Sequence, residues 1–294
     1  MSESGPLINL GDISKPATVL IERISDAMGA VFQPYQIKRI AKAEAEAAKI
    51  RALARIKVSK IQRRALVRMI QEEGKKQENI EKIASLAIPD LRPDAKPENL
   101  QNDWLAHFFD KCRLVSDAEM QTLWGKLLAG ETNQPGTFSR RTVELVSALD
   151  KGDAQLFTNL CRFAWHIRGV APLVYDVEYE LYNRERINFG SLTHLDDIGL
   201  ITFDNLNSFA KKGFPKRAIV SYYDRPASIE FQGESNNDLN IGRVLLTKVG
   251  HELAPICGST EAEGFYSYVF SEWRKHGYIV SESPPDKPGE GGVS

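Results

Sequence analysis

Apolar positions recur at helical spacing from the first segments of the chain. Ser14-Lys15-Pro16, a polar N-cap type with proline in the first turn, leads into Leu20, Ile24, Ala27, Met28 and Val31 and predicts an amphipathic helix. From Gln36 to about Leu86 there is no proline and a single glycine, Gly74, and the stretch Ala41 to Lys49 is built from alanine, glutamate and lysine. That composition favours helix. The segment therefore predicts one very long helix, or two broken near Gly74, about 75 Å long if fully formed. Ile37, Ile40, Ala47, Ile50, Ala54, Val58 and Ile61 return at intervals of three, four or seven, a narrow seam suited to pairing with another helix.

Pro89, Pro93 and Pro97 interrupt this pattern and predict a linker. Helices resume over Asn102 to Lys111, carrying Trp104, Leu105, Phe108 and Phe109, and over Ser116 to Ala129, where Ser116 and Glu119 read as a capping box and Gly130 as the stop. Ser139 suits the N-cap of a helix over Arg140 to Leu149. Asp153 to about Ile167 predicts another, with Leu156, Phe157, Leu160, Phe163, Ala164 and Trp165 on its core side. Beyond residue 169 the spacing shortens: strands over Val170 to Val177, Leu200 to Phe203, Ile219 to Tyr223, Ser228 to Gln232 and Val244 to Thr247, a short helix over Phe189 to Asp197, and a polar loop bearing Lys211, Lys212, Lys216 and Arg217. Leu192 to Ile201 together with Leu246 to Leu253 reads as helix, hairpin wing and closing helix.

The fold class that follows is mainly α: a long N-terminal helical arm, then a helical domain and a small winged-helix-like α+β module. The predicted segments are 1–35 for the amphipathic N-terminal helix, 36–88 for the basic arm, 89–98 for the linker, 99–168 for the helical domain, 169–280 for the winged-helix-like module and 281–294 for a disordered tail.

Charge changes this picture more than composition does. The 294 residues are 42% hydrophobic and 26% charged with a net charge of −1, which describes a globular chain and excludes general disorder. Between residues 36 and 82, however, fourteen basic residues stand against six acidic ones, so a segment of net +8 is joined to a remainder of −9. From Lys49 through Arg68 there is no acidic residue. Arg51, Arg55, Lys57, Lys60, Arg63, Arg64 and Arg68 are the candidate nucleic-acid-binding residues, because cations along one helix can follow phosphates by counterion release. The same helix could instead dock on the acidic part of a second copy. The remaining alternative is a solvated helix face with no partner, and a homo-oligomer is expected from the helix-pairing seam.

Catalytic chemistry is sparse. His107, His166, His194, His251 and His276 are scattered, His251-Glu252 lacks a second histidine at zinc-binding spacing, and there is no phosphate loop, dinucleotide fingerprint or nucleophile elbow. Asp90 with Asp94-Ala95-Lys96 has the residue types of a metal-dependent nuclease but sits in the proline-broken linker, and His194 beside Asp196 and Asp197 has no fixed pairing. Trp104, Trp124 and Trp165 fall on apolar helix faces, where core packing explains them. No enzyme activity, metal or cofactor is expected. Cys112, Cys161 and Cys257, odd in number and without a CxxC pair, read as reduced thiols in a cytoplasmic protein. Glu3 precedes the first basic residue, Lys15, and no run of about 18 apolar residues occurs, so neither a secretory signal nor a membrane span is expected.

Two resemblances join this reading. Leu7 to Asp12, Ser14 to Thr18, Gln36 to Ile40 and the Ala/Glu-rich helix start resemble, in that order, a bacterial family known only as a domain of unknown function, over most of the chain up to about residue 280. Asp117 to Ala129, with its Trp124-x-x-Leu127-Leu128-Ala129 pattern, then Phe138-Ser139, Leu149 and Asp153-Ala154, is similar to the Abi-alpha family of bacterial abortive-infection proteins over about residues 100 to 165. The second resemblance implies phage defence, a prophage origin and a phage component or host protein as partner, and it supplies no catalytic residues. The expected function is antiviral defence by nucleic-acid binding and self-assembly. The alternatives are an interaction scaffold, or a membrane-surface effector using Leu20 to Val31.

Overall fold

The computed structural model describes residues 14–28 and 59–282, and divides into two units, Met1–Ala148 and Leu149–Ser294. In the first unit, helix α1 (Lys15–Met28) packs Ala17, Leu20 and Ile24 inward, and α2 (Lys60–Ala87) starts from a complete capping box in which Ser59 and Gln62 satisfy each other's backbone N–H groups. Helix α2 continues through Gly74 without a break. Two 3-10 turns, Ile88–Asp90 and Pro97–Asn99, lead to α3 (Asn102–Cys112), α4 (Ala118–Asn133) and α5 (Arg140–Ala148). Asp117 caps α4, accepting from the N–H groups of Glu119 and Met120, in place of the Ser116 the sequence suggests. Ser139 does cap α5, accepting from Thr142 N–H at 3.3 Å.

The core of this unit forms where the second half of α2 meets α4. Ile80, Ile83, Ala84 and Ala87 are buried there, and Gly125 of α4 allows the approach: a Cβ at that position would lie 2.8 Å from Leu86 Cβ. Trp104, Phe108 and Trp124 stack beside them with ring centroids 5.1 Å apart. Trp104 Nε1 donates to Phe138 O at 2.8 Å, and the buried Glu131 carboxylate accepts from the N–H groups of Gly136 and Phe138 at 2.7 and 2.8 Å. Gly130 lies inside α4, pressed against the Phe138 ring, so it does not end the helix. The proline segment belongs to this unit, with Pro97 buried and Lys96 N–H bonded to Thr132 O at 3.1 Å.

The second unit is built on a five-stranded antiparallel sheet of order β2-β1-β5-β6-β9, with β1 (Ala164–His166), β2 (Val170–Pro172), β5 (Arg217–Tyr222), β6 (Arg225–Glu230) and β9 (Ile279–Glu282). Two further ladders pair β3 (Ile201–Phe203) with β8 (Val244–Leu246), and β4 (Phe209–Phe214) with β7 (Asn237–Gly242). The helices are α6 (Lys151–Cys161), α7 (Glu180–Arg184), α8 (Phe189–Asp197), α9 (Lys248–Leu253) and α10 (Phe265–Lys275). Trp165 is the centre of the core, stacked on Tyr222 and Tyr266 and meeting Trp273 edge-on at 4.8 Å.

These sheets overturn the mainly α fold with a helical arm: the architecture is α+β. The segment Asp153 to Ile167, read as one helix, ends its helix at Cys161 and continues as β1, because a three-residue strand with only Trp165 buried is too short to change the period of the apolar run visibly. In the polar stretch read as a loop, Lys211 and Lys212 lie in β4 and Arg217 opens β5, with Lys216 in the connection between them. No simple hairpin wing joins α8 to α9. The chain between β3 and β8 makes an excursion through β4 to β7, two strands of which enter the main sheet.

Candidate nucleic-acid interface

Helix α2 has two halves of opposite character. Its second half is core, while from Lys60 to Lys75 no residue is buried. Lys60, Arg63, Arg64 and Arg68 are all exposed there, within about 140° of arc at about 100° per residue. Among the described residues only Arg68 of these four meets a carboxylate, Glu72 Oε1 at 3.6 Å, and both side chains stay solvated. The first turn holds Lys60 and Arg63 and no acidic residue, so cations stand at the positive end of the helix dipole, a placement that favours an anion brought from outside. Arg51, Arg55 and Lys57, the other three candidates, lie outside the described residues, as do Ile50 and the seam before it. On the flank of the basic face Ile61 is 68% exposed, and Met69, on the opposite side of the helix, is 59% exposed.

The other sequence candidates fall elsewhere. Trp104, Trp124 and Trp165 are buried in the two cores and offer no face for a base. Helix α8 turns Phe189, His194 and Asp197 to solvent and carries no lysine or arginine. Its His194 Nε2 pairs with Asp153 Oδ1 of α6 at 2.7 Å, not with Asp196 or Asp197. Asp90 and Asp94 are exposed, the latter 3.7 Å from Arg92 Nε. Among the described residues, no group of three or more His, Cys, Asp or Glu is placed to hold a metal ion, and no helix is long and apolar enough to cross a membrane.

One cluster escapes sequence reasoning. In the second unit a cavity of about 210 Å³ is lined by Cys161, His166, Tyr223 and Ser259 together with small and apolar residues. Cys161 ends α6, Tyr223 occupies the turn between β5 and β6 at φ +49°, and Ser259 follows α9. Tyr223 OH donates to Ser259 Oγ at 2.9 Å and lies 3.3 Å from Cys161 O. The thiols of Cys161 and Cys257 are hydrogen-bonded to each other. That bond, with further ones from Ser259 N–H and the Ser259 and Thr158 hydroxyls, brings Cys257 down to about 6 against the cost of burial, while burial pushes Cys161 well up. No spacing in the sequence announces this group.

Over residues 63–270 the chain matches DUF2806, described as a protein of unknown function, and it belongs to that family. The expected domain of unknown function is thereby found, whereas the resemblance to Abi-alpha has no counterpart in the comparisons. No curated protein and no solved structure matches the chain. The matched region begins at Arg63 and takes in Arg64 and Arg68, most of the first unit's core and nearly all of the second unit.

Proposed function

We propose that this member of the family is a nucleic-acid-binding protein of antiviral defence, gripping phosphates through the solvent-facing half of α2. The observation that carries the reading is the solvated row Lys60, Arg63, Arg64 and Arg68 at the dipole-positive end of a helix whose other half is fixed in a core. Phosphate contacts position a protein without reading sequence, which suits a module whose α8 has no basic residue. If these four side chains neutralise four phosphates, the logarithm of the binding constant falls with log salt at a slope of about −3.6 on duplex DNA. Fluorescence anisotropy with labelled duplexes measures it. Changing Arg63, Arg64 and Arg68 to Gln flattens the slope equally for unrelated sequences, and an intact protein that ignores DNA at low salt removes the reading. The defence setting rests on the likeness of residues 117–129 to abortive-infection proteins. Counting phage and surviving bacteria in cells with and without the gene tests it.

Self-assembly through the same helix is a second reading, favoured by Ile61 standing in solvent beside the basic face and Met69 on the opposite side. The membrane-surface alternative has less support, since the apolar side of α1 is occupied: Ala17, Leu20 and Ile24 pack toward α3 and the turn Pro97–Asn99.

A further inference from the structure

We propose that Cys161 and Cys257 form a peroxide-reactive dithiol, in which Cys257 takes oxygen from a small hydroperoxide and Cys161 closes it to a disulfide. The proposal is independent of the nucleic-acid reading. It rests on placement. The two residues lie on different elements, at the end of α6 and in the turn after α9, yet their thiols are in hydrogen-bond contact. Thr158 Oγ1, one helical turn before Cys161, lies 3.2 Å from Cys257 O, which holds the Cys257 turn against α6. Cys161 is fully buried and Cys257 partly exposed, the division between a resolving and an attacking thiol. The neighbouring cavity, lined by Cys161 and by Gly258 and Ser259 next in sequence to Cys257, has the volume of several water molecules, enough for hydrogen peroxide or a short alkyl hydroperoxide.

Tyr223 ties the group together from the hairpin loop. It opens the two-residue connection between β5 and β6, where a φ of +49° suits the turn. Here the phenol donates to Ser259 Oγ, whose hydroxyl is also a hydrogen-bond partner of the Cys257 thiol, and that thiol lies 3.2 Å from Ala254 O. Tyr223 is thus a positioning residue for the attacking thiol. Cys112, the third cysteine, is buried in the first unit, and its thiol is pushed up by burial.

The chemistry balances with the peroxide as oxidant. The Cys257 thiolate forms an S–O bond as the O–O bond breaks, and the departing oxygen leaves as water after taking up a proton. Cys161 then gives up its proton, attacks the sulfur of the resulting sulfenic acid and expels a second water. Two thiols lose two electrons and two protons while one peroxide becomes two waters.

The test uses the full chain. It is treated with hydrogen peroxide, the remaining thiols are alkylated in denaturant, and the peptides are mapped by mass spectrometry. The expected product is a peptide pair joined through Cys161 and Cys257, two hydrogens lighter than the reduced pair, with Cys112 alkylated. In Cys161→Ser a dimedone adduct collects on Cys257 instead. Tyr223→Phe slows formation of the disulfide by roughly three- to tenfold, the kinetic equivalent of one hydrogen bond. Without any substitution, the rate of Cys257 alkylation by iodoacetamide in the native protein rises with a midpoint near pH 6, well below an ordinary thiol. Cys161 and Cys257 both remaining free under excess peroxide, or Cys112 oxidising first, would overturn the proposal.

Discussion

At the scale of single residues, two buried polar arrangements decide how much of the structure depends on exact pairing. Asn79 and Gln121 are both buried between α2 and α4. Gln121 Nε2 donates to Asn79 Oδ1 at 3.2 Å and to Val115 O at 2.9 Å, and Asn79 Nδ2 donates to Arg113 O at 2.9 Å. Replacing Gln121 with Leu fills the space but leaves two acceptors without donors, so it costs about 1–3 kcal/mol, read as a lower urea midpoint at unchanged m. The Cys257 thiol makes the second case. It is held near 6 in the fold against an ordinary 9.0, so between those values the unfolded chain binds the extra proton and stability gains with pH from this group. The gain is complete above 9.0 and is lost as pH falls through about 6. Thermal scans of Cys257→Ser between pH 6 and 8 are therefore expected to show a flatter rise of Tm than the native chain, and an identical slope would mean that the thiol is not ionised there. Neither arrangement was legible beforehand, because Asn79 and Gln121 read as ordinary surface amides and the thiol cluster draws on α6, the β5–β6 turn and the segment after α9.

At the scale of elements, the helices of the first unit and α8 of the second were legible, whereas α7 and α10 were not, nor were the surroundings of any of them. The N-cap at Ser139, the helix over Asn102 to Lys111 and the helix over Phe189 to Asp197 follow from caps and periodicity, which act locally. What periodicity could not supply is the division of α2. Both halves have helical composition, and only the arrival of α4, through Gly125, makes one half a core face. The division has a measurable consequence. Ile83 is fully buried, and Ile83→Ala should cost about 2–5 kcal/mol. Arg64→Gln, on the solvated half of the same helix, should stay within about 0.5 kcal/mol while weakening any phosphate contact. Equal losses of stability from the two changes would mean that the basic half is packed, and with it the interface would go. Ile61→Ser separates assembly from binding: it should lower the mass seen by light scattering if Ile61 lies in a helix-pairing seam, and leave the salt slope on DNA unchanged.

At the scale of the whole molecule, the strands were the hardest part to read because they are short and their partners are distant. β1 has three residues, and the only residue it pairs with in β5 joins His166 to Ser221. β4 carries the sequence Phe-Ala-Lys-Lys-Gly-Phe, whose alternation is blunted by a lysine pair and a glycine at φ +77°. Such strands are specified by the neighbour each one meets, as at Gly242, where a Cβ would lie 2.3 Å from Val174 O, so that glycine alone permits the contact between the two backbones. The proline segment misled in the other direction: three prolines suggest a linker, yet Pro97 is buried and Asn133 accepts from Arg92 N–H and donates to Asp90 O, which makes the segment part of the first unit. This determines where the chain can be cut. A fragment starting at residue 98 would lack Ile80, Ile83, Ala84 and Ala87 and leave the α4 face that covers them in water. It should bind an apolar dye and melt without a sharp transition in its first part. A fragment from Leu149 to Glu282 keeps the whole five-stranded sheet and the Trp165 cluster, so it should unfold in one cooperative step by circular dichroism. A sharp melt from the fragment beginning at 98, matching that of the intact chain, would show instead that α2 adds nothing to the core and projects along its entire length.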